Sequence, residues 1–279
     1  MAGDAGSNFM VPLAPGPGSS YTQNRGEQMT AALVKARPKA PNKDQSLLKL
    51  VAIITMTVDH VGVIFFPGVL WFRIIGRIAF PLFCWGLVVG VERSSNRRLY
   101  GLRLLLLAFV SQPFYMLALN HTWTQFNVIA TLLLGFLAIV GIREKWHFSQ
   151  YWAPALCLLV AAGFQMDYGW RGVLLIILMH LVKDSRAGLG ALMTAFCLYW
   201  GGGGTVVPQS WVHAFTTTPV YPLNLALREM LGLFKVQSLA ILALPLMLIP
   251  TRSGLRLPKW FSYAAYPVHL CVLWLLSLL

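Results

Sequence analysis

The sequence predicts an all-α fold: a polytopic transmembrane helical bundle of about nine spans, with its N-terminus in the cytoplasm. Three observations point there. The chain of 279 residues is 57% hydrophobic and only 11% charged, with a mean hydropathy of +0.65, too apolar for a water-soluble domain of this size. Its apolar residues gather into runs approaching the about 20 residues that a helical span needs, not into the alternating segments of about ten that a barrel needs. Its basic residues are segregated. The formal net charge is +13, which at first suggests nucleic acid, but most of the Lys and Arg fall in the N-terminal tail and in alternate loops. These are Arg93, Arg97, Arg98 and Arg103; Arg143 and Lys145; Lys183 and Arg186; and Arg252, Arg256 and Lys259. The intervening loops carry few. That is the positive-inside pattern of a membrane protein, with a lipid bilayer and not nucleic acid as the partner.

Taken in order, residues 1–46 are rich in Gly, Pro, Ala, Ser and Lys and are expected to form a disordered cytoplasmic tail. Residues 47–279 form the membrane domain. The expected spans are 47–66, 69–91, 100–119, 126–142, 151–165, 169–182, 189–200, 236–249 and 260–279. One long loop, about 201–235, opens with a run of glycines, holds Pro208, Pro219 and Pro222, and falls on the outer side. Its stretch 223–234 has the composition of an interfacial or re-entrant helix. The cysteines, Cys84, Cys157, Cys197 and Cys271, all fall within spans with no CxxC or metal-ligand spacing, so they read as packing residues and no metal is expected.

Polar residues inside the spans are the informative exceptions. An Asp, Lys or Arg at a helix centre costs about 2.5–3.5 kcal/mol on insertion scales, so Asp59, Arg73 and Arg77 are expected to face protein rather than lipid. At about 1.5 Å per residue, Asp59 of the first span and Arg77 of the second reach similar depths. Gln112 of the third span comes out level with them, and His269 of the last a little lower. Asn127 and Tyr168 lie near outer ends. Arg73 and Arg77 are four residues apart and share a helix face. Pro81 and Pro267 loosen the backbone ladder near Arg77 and His269.

Each group also has a purely structural reading. Asp59 and Arg77 would form a buried pair, His60 and His269 would be core histidines, and Asp167 would pair with Arg171. Neighbours on a helix point about 100° apart, so Asp59 and His60 are not expected to bond each other, and a group from another helix would orient the imidazole. A His at mid-membrane beside a carboxylate and guanidiniums at one depth is nonetheless a plausible acid–base site.

The residues then carry a resemblance. Asp59-His60 in the first span and the block Gly76, Arg77, Ala79, Phe80, Pro81, Leu82 and Phe83 in the second resemble the TraX family, the membrane protein of conjugative plasmids that acetylates the N-terminus of pilin. Weaker matches are Gln112, "NVIATLLLG" at Asn127, "DYGWRGVLL" around Tyr168, and "YAAYPVHLCVL", which contains His269. The likeness runs from about Leu47 to the C-terminus. It implies acetyl-CoA as donor and the amino terminus of a processed pilin as acceptor, in the bacterial inner membrane. Asp59, His60, Arg77 and His269 would be catalytic, with His60 the first choice as base. Arg73, Arg93, Arg97, Arg98 and Lys259 would bind the donor, and Gln112, Asn127 and Tyr168 the acceptor. The alternatives are a related acyltransferase acting on a glycan or lipid, another pilin-maturation step, a proton-coupled transporter using Asp59 and His60, and a structural assembly subunit.

Overall fold

The computed structural model describes residues 41–200 and 235–279. The expected tail up to residue 40, most of the long outer loop and its stretch 223–234 lie outside the described residues. The described chain is mostly helical. In order it comprises α1 (Gln45–Phe65), α2 (Leu70–Gly76), α3 (Ala79–Arg93), α4 (Arg97–Leu119), β1 (Gln125–Phe126), α5 (Val128–Glu144), α6 (Ser149–Gly163), β2 (Gln165–Met166), α7 (Gly169–Leu181), α8 (Arg186–Tyr199), a 3-10 helix (Val236–Ala243), α9 (Leu244–Leu248) and α10 (Lys259–Ser277).

Each expected span falls on helical backbone, but they differ in reach. Four stretches among the described residues are long and apolar enough to cross a membrane: Gln45–Phe65, Leu70–Arg93, Arg97–Leu119 and Trp260–Ser277. The others are shorter. The 13 residues of α7 extend only about 20 Å at 1.5 Å per residue, less than a hydrocarbon core of about 30 Å.

Local sequence explains the helix starts. Asp44, Asn96, Asn127 and Ser185 each cap the following helix by accepting a backbone N–H, satisfying donors that the first turn cannot pair. The expected tail boundary moves inward. Asn42 is fully buried, its amide bonds the Leu246 carbonyl and Thr251 hydroxyl, its N–H bonds Met247 O, and its carbonyl accepts from Trp85 Nε1. A polar residue with all its groups partnered packs like an apolar one.

The most enclosed helix is α3. Phe80, Leu82, Cys84, Trp85 and Val88 are each 2% exposed or less, and α1, α5, α7 and the 3-10 helix pack around it. The outward faces of the other helices are apolar, as at Leu106, Phe109 and Val110 of α4, which suits lipid rather than water.

Alternate connections share an end, as the charge pattern requires. At one end Arg143 pairs with Glu92, Arg97 with Glu144 and Lys183 with Glu92, joining the α3–α4, α5–α6 and α7–α8 turns. At the other, β1 pairs in parallel with β2, Gln125 opposite Gln165 and Phe126 opposite Met166, joining the α4–α5 and α6–α7 turns.

Candidate active site

The second expected span is broken where its polar residues lie. α2 ends at Gly76, residues 77–78 form a turn, and α3 begins at Ala79. Pro81 explains the break: it has no N–H to offer the carbonyl four residues earlier, and its ring crowds that position. The break brings Gly76 onto α1. A Cβ at position 76 would lie 2.1 Å from Asp59 Oδ1, so only glycine lets the carboxylate sit there.

Asp59 thereby reaches both arginines. Arg73 donates to Oδ2 at 3.0 Å, and Arg77 donates to Oδ1 and Oδ2 at 3.2 Å each. Arg77 also donates to its own helix at Arg73 O (3.3 Å) and to Gln237 Oε1 of the 3-10 helix (2.8 Å). Asp59 and Arg77 have side-chain exposures of only 13% and 11%. One carboxylate holding two guanidiniums leaves the group with a surplus positive charge. Asp59 is thus an anchor for the arginines and does not contact His60. Arg73, grouped with the donor-binding arginines in the sequence, stands in this cluster.

His60 turns to the last helix. Its Nδ1 lies 2.7 Å from Nε2 of His269, with the two rings within 9° of parallel. His269 Nδ1 lies 2.8 Å from the Ala265 carbonyl. This chain of contacts assigns the tautomers. A backbone carbonyl only accepts, so His269 Nδ1 carries a proton, and in the neutral ring its Nε2 is an acceptor. His60 Nδ1 must then donate, which leaves His60 Nε2 with its lone pair. The carbonyl that orients the pair comes from the turn that also contains Pro267.

These groups line a cavity of about 310 Å³. Asp59, His60, Arg73, Arg77 and Tyr168 face it, together with Tyr115, His121, Asp167 and Tyr266, which the sequence did not single out as site residues. His269 stands behind His60 and does not line it. Tyr168 is held in a left-handed conformation, φ +66°, costly for a bulky residue, with its ring stacked on Phe80 at 3.7 Å and edge-on to Trp200. Beside it, Asp167 takes its N–H to Phe126 O (3.0 Å) and its carbonyl to the Thr131 hydroxyl. Asp167 faces the cavity, and Arg171 lies over the Trp170 ring. Burial pushes the Asp167 carboxyl up to about 6, against the pull of Arg77.

Gln112 and Asn127 are level with the cavity but belong to its frame. Gln112 donates to Gln125 O (2.7 Å), Asn127 donates to Gln112 Oε1 (2.9 Å) and Ala108 O (2.8 Å), and the Asn127 oxygen caps α5. Arg93 and Arg98 are exposed at the opposite, basic end, where Arg97 pairs with Glu144, and Lys259 opens α10. Gln237 and Tyr266 were invisible as site residues because each sits singly in an apolar stretch whose helical face is set only by packing.

Comparison with known proteins follows the same residues. A family model described as "TraX protein" matches residues 44–277. Protein TraX of Escherichia coli is 25% identical over 248 residues, 84% of this chain and 87% of that protein. The probable fimbrial assembly protein FimC, serogroup H1, of Dichelobacter nodosus is 31% identical over 163 residues, 53% of this chain and 66% of that protein, so the chain spans just under two thirds of that relative's length. No solved structure matches the chain. With the matched region holding the whole described bundle, including the Asp59–Arg73–Arg77 cluster and the His60–His269 pair, the chain belongs to the TraX family.

Proposed function

We propose that the chain is a membrane-embedded acetyltransferase, moving an acetyl group from cytosolic acetyl-CoA to the N-terminal amine of a processed pilin in a bacterial inner membrane. The observation that carries this reading is His60: a neutral imidazole, oriented from behind by His269, with Nε2 available at a cavity that also holds two guanidiniums on a single carboxylate. The TraX relatives and the fimbrial assembly relative support a pilin as the acceptor class.

On this reading each residue has a role. An α-amino group has a pKa of about 7.7–8.0 and must lose a proton to attack a thioester. That proton is released to water, and as the neutral amine nitrogen bonds the thioester carbon His60 Nε2 takes one of its two remaining N–H protons. The carbonyl oxygen becomes an oxyanion, which the guanidiniums of Arg73 and Arg77 stabilise. Collapse breaks the C–S bond, and the proton on His60 passes to the departing sulfur, giving the amide and free CoA thiol. His269 is a positioning residue: it fixes the tautomer of His60.

The test is His60→Ala in cells that make the cognate pilin. Intact mass should report pilin lighter by one acetyl group, and transfer by membranes should fall about 10²–10⁴-fold, the usual contribution of a general base. Full acetylation by a variant that inserts normally overturns the assignment.

A further inference from the structure

A second, narrower cavity of about 100 Å³ lies against the first. The two share the wall residues Met56, Phe83, Val128 and Tyr266, where they meet. The remainder of the narrow cavity is mostly apolar, with Ile53, Leu104, Leu107 and Leu132 along its sides and the side chains of Tyr100, Ser262 and Tyr263 among them. It is an unusual place for a cation, yet Lys49 lines it. Among the described residues the Lys49 ammonium has no ion pair and no hydrogen bond, and it lies one turn inside α1. A half-buried, unpaired charge is costly unless something else neutralises it. At the junction of the cavities stands Tyr266, 5% exposed, its ring edge-on to His269. Its hydroxyl is buried without a hydrogen-bond partner among the described residues. The Val128 amide is near but outside hydrogen-bonding geometry. A buried hydroxyl of this kind asks for a ligand atom.

From Lys49 to His60 is eleven residues of one helix, roughly 16 Å. The path therefore has an anion site at the basic end of the bundle, an apolar passage, a hydroxyl donor at its inner end, and the imidazole just beyond. That order matches a long flexible arm carrying phosphate at one end and an acyl thioester at the other. We propose that this narrow cavity is the passage by which the thioester arm of a CoA donor reaches His60, with Lys49 holding the phosphate-bearing end and Tyr266 donating to the acyl carbonyl. This rests on the acyl-transfer reading above and adds to it the donor's route and two residues, Lys49 and Tyr266, that the motif did not single out. It also separates the two substrates. The donor enters from the basic end, which leaves the wider cavity, with Tyr168 and Asp167 at its far wall, for the acceptor amine.

The experiment uses the full chain in proteoliposomes. Lys49→Met should raise KM for acetyl-CoA about tenfold, the usual weight of a charge-assisted contact, with kcat nearly unchanged. S-acetyl-pantetheine, which carries no phosphate, should be used equally well by wild type and Lys49→Met. Leu104→Trp, which fills the passage, should abolish transfer from both donors. Independently of turnover, CoA should slow maleimide labelling of Ser262→Cys, a wall residue, measured over the wild-type background. Unchanged KM in Lys49→Met, or labelling indifferent to CoA, overturns the passage even where the wild type acetylates pilin. Protection by CoA without any acetyl transfer upholds the passage and overturns the acetyltransferase reading instead.

Discussion

Two clusters of charge, built from the same kinds of residue, sit at different levels of this bundle and do different things. Near the basic end, Glu92 takes Arg143 and lies near Lys183, with side chains about a third exposed at 31% and 33% for the Glu92–Arg143 pair. Deeper in, Asp59 takes Arg73 and Arg77 with its own exposure at 13%. Both place two cations on one carboxylate. The first can be hydrated and screened, so it tethers three turns at little gain or cost. In the second, the charges are held by one another, by Gln237 and by the carbonyl of Arg73. It also opens onto a cavity. A charge cluster that is costly to bury and faces a void is where an anion or an oxyanion is expected to bind. A wet one is a clasp.

The sharpest way to break this contrast is to remove each carboxylate. Asp59→Asn leaves the Arg77 guanidinium, 11% exposed, buried without its carboxylate, which costs about 3–5 kcal/mol. The variant should unfold at markedly lower temperature in detergent and should not transfer acetyl. Stability equal to wild type would mean that water reaches the cluster and that the two ends do not differ. The next effect concerns charge balance. Asp167 shares the cavity with Arg77, Arg73, Asp59 and His121, and burial raises its carboxyl to about 6. Below about pH 6 it is neutral and the positive surplus is intact; above, its charge offsets one guanidinium. Inhibition by acetate at this site should therefore be stronger at pH 5 than at pH 7, and Asp167→Asn should remove the difference. The same pH dependence in Asp167→Asn would assign it to another group. The smallest effect is expected from Glu92→Gln, within about 1 kcal/mol as for surface pairs, with acetyl transfer unchanged. A loss as large as that of Asp59→Asn would show that the basic-end clasp also shapes the site.

Part of the site was legible in the sequence. Asp59 and Arg77 could be placed at one depth by counting residues, because rise per residue is a local property of any helix. Pro81 marked the backbone beside Arg77 as a place where the helical ladder loosens. Rotation about the helix axis was harder. Gln112 and Asn127 lie at the right depth but turn to each other and to backbone carbonyls. Asp167 had a ready partner four residues on in Arg171, yet the turn pinned by Phe126 and Thr131 leaves it at the cavity.

What the sequence by itself determined was therefore apolarity, the order and alternating direction of the helical segments, the level of each polar residue along its helix, and the family. The first three follow from composition and from the periodicity of a single chain, and the family from the likeness of the Asp59-His60 pair and the Gly76 to Phe83 block. Tertiary structure alone decided which side chains meet. It paired Asp59 with Arg73 as well as Arg77, put His269 behind His60 so that one imidazole faces the cavity and the other orients it, brought Gln237 onto Arg77, and brought Tyr266 from a distant apolar segment to the cavity. The reason is physical. A helix fixes height by its own hydrogen bonds, but the face it turns inward is chosen by packing against its neighbours, here through a glycine at position 76 that leaves just enough room for a carboxylate.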